Sequence, residues 1–320
     1  MMMNRSLFIF AVGLVLAASS CGVVKKPASS PTEGTLEVYC SESVSPAVGK
    51  IADEFMILYQ KAHITIHPVP TRAAIVKLLN NETTLVVASR TFNQDELNVI
   101  KKYKIDVDSV RVALDGVAVI VNHDNPLTQI NTDQLRQVFA GEVKSWDKID
   151  KKFQGRIIPA LESPNSGTIE YFKDRVLGNE KFSEAYPCTT MANVYAFVRD
   201  NQGAIGLISS NWLNSGQDLL PGKKEAPKAL EVAEVDSTSM KYIDPNSFGS
   251  YYYPYQAHIY RRYYPLTRPI FFLSRDFNDG VGAGFLTFAA SASGQKIFLN
   301  NGLVPATMPV RLVQLNNQPL

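Results

Sequence analysis

Between residues 35 and 114, short runs of aliphatic and β-branched residues alternate with segments of helical periodicity, and this rhythm limits the fold more than any other feature. Residues 35–39, 64–68, 85–88 and 109–114 read as strands, with helices beginning near Ser45, Ala73 and Gln94 between them. In the first helix Pro46 occupies the opening turn, and Val48, Ile51, Ala52, Phe55 and Leu58 recur on one face. Strands alternating with helices predict βαβ units and a mainly parallel sheet, which gathers ligands outside the carboxyl ends of its strands. Three loops fall at that edge: Ser41-Glu42-Ser43, Thr71-Arg72 and Ser89-Arg90. All three carry hydroxyls and two carry arginine.

A second element stands out at residues 162–178, ESPNSGTIEYFKDRVLG, where loop residues run straight into a helical pattern. Ser166 suits an N-cap and Gly178 a C-terminal stop. Ser166-Gly167-Thr168 therefore offers N–H groups and hydroxyls at the positive end of a helix, which suits an anion. The same pattern also serves as a plain helix cap.

The amino terminus has a separate role. Arg5 precedes an apolar run, residues 7–18, too short to span a bilayer and shaped like a secretory signal. It leads through Ala18-Ser19-Ser20 into Cys21, the pattern of a bacterial lipobox, so Cys21 is expected to carry lipid. Residues 1–20 then form the signal and 21–35, rich in Pro, Ser and Gly, a flexible tether. The expected location is the periplasm or cell envelope, on a lipid anchor. Cys40 and Cys188 remain, and spacing alone does not pair them.

About 285 residues follow the tether, enough for two lobes of ordinary size. The formal charge of +2 and the lack of a basic stripe with interleaved aromatics argue against nucleic acid. His63 and His67 lie in a strand pattern, about 13 Å apart, too far to share a metal. No G-x-S-x-G, H-E-x-x-H or Walker loop occurs, so the chain reads as no enzyme, with no cofactor and no metal. Residues 251–264 hold seven tyrosines, read as packing plus an interface rim, with a carbohydrate platform as the alternative.

Further along, DGVAVIVNHDNPLTQINTDQLRQVFAGEVKSW, NSGT, QGAIGLISSNW, YPLTRPIFF and FLTFAASASGQKIFLNNGLVPA follow one another in order. Together they resemble the phosphate-binding proteins of bacterial ABC uptake systems, with the type II periplasmic binding-protein fold. The resemblance implies an α/β fold of two lobes, each a mainly parallel sheet flanked by helices, clamping a ligand without covalent chemistry. The crossovers would assign 36–115 plus 255–320 to lobe one and 116–254 to lobe two. By position, the family's ligand loops fall on Glu42-Ser43, Ser89-Arg90 and Ser166-Gly167-Thr168; with Ser41 and Arg72 from the strand-end loops, the ligand-binding set becomes Ser41, Glu42, Ser43, Arg72, Ser89, Arg90, Ser166, Gly167 and Thr168. The implied partners are phosphate or a related oxyanion and an ABC permease in the membrane, with the chain itself a monomer.

Four positions depart from that family's pattern. Glu162 stands where an arginine is usual and Pro164 where an aspartate is. Glu42 replaces a hydroxyl, and Arg90 replaces the aspartate that accepts the proton of hydrogen phosphate. These departures keep a second reading open: a receptor or scaffold of the same fold with a different or lost small-molecule ligand.

Overall fold

The computed structural model describes residues 30–213, 225–275 and 279–308. The signal, Cys21 and most of the tether lie outside them. Among the described residues no helix is long and apolar enough to cross a membrane.

The first lobe is built on three parallel strands, Lys61–Val69, Glu33–Ser41 and Leu85–Ala88, in that spatial order. Helix Ser45–Leu58 covers one face and buries Val48, Ile51, Ala52 and Phe55, as its periodicity predicts. Leu58 is 55% exposed, because the helix ends there and Tyr59 leaves helical geometry. Helix Ala292–Asn300 packs on the same core through Phe298, together with Gly280–Ala290 through Phe285. Helix Gln94–Tyr103 opens with a full capping box: Asn93 accepts from Glu96 N, and the Glu96 carboxylate accepts from Asn93 N.

Residues 109–114 and the apolar run after them form one unbroken strand, Asp108–Val121, rather than two. Its first half pairs antiparallel with the return strand Thr267–Ser274, and its second half with Ala204–Ser209 of the second lobe. Ile158–Leu161 and Tyr186–Pro187 extend that sheet in parallel. A run buried on both faces needs no alternation, so the crossover reads as continuous apolar sequence.

The stretch after residue 255 touches both lobes. Ile259, Tyr264 and Leu266 pack in the second core with Val117, Phe139 and Phe172. Tyr264 also donates its phenol to the Val117 carbonyl at 2.8 Å. Gln256 meanwhile donates to the Leu299 and Leu303 carbonyls beside the first core, at 2.6 and 2.7 Å. Tyr264 is fully buried while Tyr251, Tyr255 and Tyr260 are exposed, so the tyrosine-rich stretch both packs and lines a surface. Cys40 and Cys188 are free, buried thiols.

Candidate ligand-binding cleft

Four hydroxyls meet where the parallel strands of the first lobe end. Ser41 Oγ lies 3.0 Å from Ser43 Oγ, and Thr71 Oγ1 donates to Ser41 Oγ at 2.9 Å. Thr71 Oγ1 also lies 3.1 Å from Ser89 Oγ. Ser41 closes the first strand, Thr71 opens the helix Thr71–Leu79, and Ser89 follows Leu85–Ala88. Parallel pairing brings these three ends to one edge, as the strand–helix rhythm requires.

The second lobe faces them with the Ser-Gly-Thr turn. Ser166 caps the helix Gly167–Phe172 by accepting from the N–H groups of Thr168 and Ile169, and it donates to Glu162 Oε2 at 2.9 Å. Gly167 makes the closest approach. A Cβ at that position would lie 1.9 Å from Ser89 Oγ and 2.4 Å from Thr71 Oγ1. The Thr168 hydroxyl is fully buried without a hydrogen-bond partner. Between the lobes remains a cavity of about 10 Å³, lined by Ser41, Ser43, Thr71, Glu162, Ser166 and Gly167 among others. That is room for about one water, so the lobes must part to admit a polyatomic ion.

Two carboxylates also line this cavity, one from each lobe. Glu42 Oε1 accepts from Met191 N at 3.0 Å, at the start of helix Met191–Asp200. Burial raises its pKa, and that N–H offsets part of the rise. Glu162 is 7% exposed; burial, and then the nearby Glu42 charge, push its pKa up to about 7. The Ser166 hydroxyl and the Arg268 guanidinium counter only part of this. Neither lysine nor arginine is among the residues lining the cavity.

The arginines expected here have other places. All five Arg90 N–H donors are committed: Nε and Nη2 to Glu170, Nη1 and Nη2 to Glu96, and Nη1 to the Thr91 carbonyl. Glu96 is fixed by its capping box on the first lobe and Glu170 sits on the second, so Arg90 clasps the two lobes. The Arg72 side chain is exposed, while its backbone N–H reaches Asn165 O of the other lobe at 3.4 Å. Thr71, its neighbour, supplies the inward hydroxyl; a helix turn of about 100° separates adjacent side chains, and only packing decides which points in. Arg268 carried no sequence signal of its own. It is fully buried on the return strand and pairs with Asp115 at 2.8 Å, joining the two crossover strands at the hinge.

A pair of α/β lobes, joined by two long strands and closed over a polar cavity, defines a clamp-type solute-binding protein. The chain belongs to the PBP superfamily, whose domain model matches residues 25–293. It is similar to the phosphate-binding protein PstS of Staphylococcus epidermidis, 26% identical over 261 residues, covering 80% of this chain and 74% of the relative. The phosphate-binding protein PstS of Staphylococcus aureus is also 26% identical, over 243 residues, covering 75% of this chain and 73% of the relative. Among solved structures, an ABC transporter substrate-binding protein from Clostridium perfringens, with bound phosphate, superposes with a TM-score of 0.69 at 19% identity. That match covers 85% of this chain and 100% of the other. An ABC-type phosphate transport receptor from Vibrio cholerae gives a TM-score of 0.60 at 20% identity, covering 85% and 100%.

Proposed function

We propose that this chain is an extracytoplasmic solute-binding protein that takes phosphate or a related oxyanion between its lobes and delivers it to an ABC permease. The observation that carries the reading is the ring of Ser41, Ser43, Thr71 and Ser89 hydroxyls closed against the Ser166-Gly167-Thr168 turn. Hydroxyls and helix-terminal N–H groups hold a tetrahedral anion without altering it, so no chemistry follows binding. Relatives named for phosphate binding support the ligand class. The test is calorimetry with phosphate, sulfate and pyrophosphate. Binding heat with at least one of them is expected, and none with any would sink the oxyanion assignment.

A second reading has its own observation. Glu42 and Glu162 line the cavity with no basic side chain among its other lining residues, and a buried carboxylate not paired within the cavity costs several kcal/mol against a bound dianion. A receptor for a different small molecule, detached from transport, would then occupy the same fold. Calorimetry that is silent for oxyanions and responsive to a zwitterion selects it.

The proposed anchor is Cys21, at the end of an export signal. Cys21→Ser is expected to move the protein from the membrane fraction to the soluble fraction outside the cytoplasm. Retention at the membrane with an uncleaved signal contradicts the anchor.

A further inference from the structure

The interlobe cleft holds two carboxylates and no cation, and the arginines around it are engaged elsewhere. Arg90 pairs with Glu96 and Glu170, Arg268 pairs with Asp115, and the Arg72 side chain is exposed. The hydroxyls of Ser41, Ser43, Thr71 and Ser89 supply dipoles but no charge. A bare dianion therefore meets a cavity that is already negative.

Each carboxylate is only half engaged. Glu42 accepts from Met191 N through Oε1, and Glu162 accepts from the Ser166 hydroxyl through Oε2. Among the described residues, Glu42 Oε2 and Glu162 Oε1 accept no hydrogen bond. Both side chains line the cavity, and neither spare oxygen is sealed off as the Thr168 hydroxyl is. Glu162 is 7% exposed, so a partner for it has to enter through the cleft. The two residues follow strand ends of opposite lobes, Ser41 in the first and Leu161 in the second, yet Glu42 is close enough to raise the Glu162 pKa. One cation between them would answer both charges.

We propose that the cleft is specific for an amine-bearing oxyanion, a short aminoalkyl phosphonate or phosphate monoester. The Ser41, Ser43, Thr71 and Ser89 hydroxyls hold the tetrahedral head, and the ammonium donates to the spare oxygens of Glu42 and Glu162. An ammonium has three donors, enough to serve both. The inference rests on the proposed oxyanion binding in this cleft and narrows its ligand class.

Calorimetry on the full chain at pH 8, above the Glu162 pKa of about 7, tests it with four probes. These are 2-aminoethylphosphonate, propylphosphonate, which puts a methyl in place of the ammonium, β-alanine, which lacks the tetrahedral head, and phosphate. The aminophosphonate should bind about 10- to 100-fold more tightly than propylphosphonate, with no measurable heat from β-alanine. In the Glu42→Gln, Glu162→Gln double variant that preference should shrink to about threefold or less, with propylphosphonate bound no more weakly than in wild type. Should the double variant fail to fold, Glu42→Gln alone, at the less buried carboxylate, should lower the preference at least about threefold. Equal affinity for the two phosphonates in wild type, or a preference that survives these substitutions, overturns the ammonium site. β-Alanine bound as tightly as the aminophosphonate overturns the tetrahedral head. Phosphate that binds beside indifferent phosphonates sinks this inference alone, whereas silence from phosphate and both phosphonates sinks the oxyanion reading with it.

Discussion

Gly167→Val is expected to hold the lobes apart and to weaken oxyanion binding about 100-fold, with each lobe still folded. Even a bare Cβ at residue 167 would sit 1.9 Å from Ser89 Oγ and 2.4 Å from Thr71 Oγ1. The serine hydroxyl can swing away by rotating about its own bond. Thr71 has less freedom, because its Cβ lies only 3.1 Å from the same point. Two further methyl groups then have nowhere to go. Overpacking of this kind costs about 1–3 kcal/mol, which is about 5- to 150-fold in affinity when it falls wholly on the closed state. Either lobe alone avoids most of the cost, since Thr71 and Ser89 belong to the lobe opposite Gly167. Gly167→Ala should show the same effect at reduced size. Small-angle scattering with and without ligand reports the closure and calorimetry the affinity. A valine variant that closes and binds like wild type would show that the Ser-Gly-Thr approach does not limit the site.

The second large effect is a pH dependence set by Glu162. Burial, reinforced by Glu42, raises its pKa from the ordinary 4.5 to about 7. An oxyanion in the same cavity adds another negative charge and favours the protonated carboxyl further. Binding should therefore draw in a proton, and affinity should fall up to about tenfold for each pH unit above 7. Sulfate is the ligand to use, because it does not itself titrate in that range. Folding stability follows the same sign. The native state holds this proton more tightly than the unfolded chain does. Its contribution is therefore complete below 4.5 and is lost as pH rises through about 7. The raised pKa corresponds to about 3 kcal/mol across that window. Glu162→Gln keeps a carbonyl oxygen for the Ser166 hydroxyl and removes the titration. It should flatten most of both dependences, with Glu42 leaving a smaller slope. A sulfate affinity with the same pH profile in wild type and Glu162→Gln would rule out Glu162 as the titrating group.

Much of the cleft is legible in the sequence, and the reason is geometric. A strand–helix–strand rhythm can close only with its strands parallel, so Ser41, Thr71 and Ser89 had to share one edge. Ser166 was readable as a cap because its side chain satisfies helix N–H groups within the same turn, a purely local matter. What the sequence left open was non-local. Arg90 looked like an anion ligand because it follows a strand end. Yet its donors go to Glu96, six residues away, and to Glu170, eighty residues away. Arg72 and Thr71 are neighbours, and only the packing of their helix chose the hydroxyl. Near residue 255 a tyrosine-rich stretch has no periodicity to show which core takes Ile259 and Tyr264.

By itself the sequence determined the α/β class, the strand ends that carry hydroxyls and the Ser-Gly-Thr cap, since each follows from periodicity or from contacts within a few residues. Tertiary structure alone decided the charges. Which arginine stays free, which is consumed by a carboxylate and which carboxylates are stranded in the cavity depends on pairings between residues far apart in the chain. Asp115 with Arg268 and Arg90 with Glu170 are such pairs. A buried charge is settled by its nearest partner in space, and chain order does not record that distance.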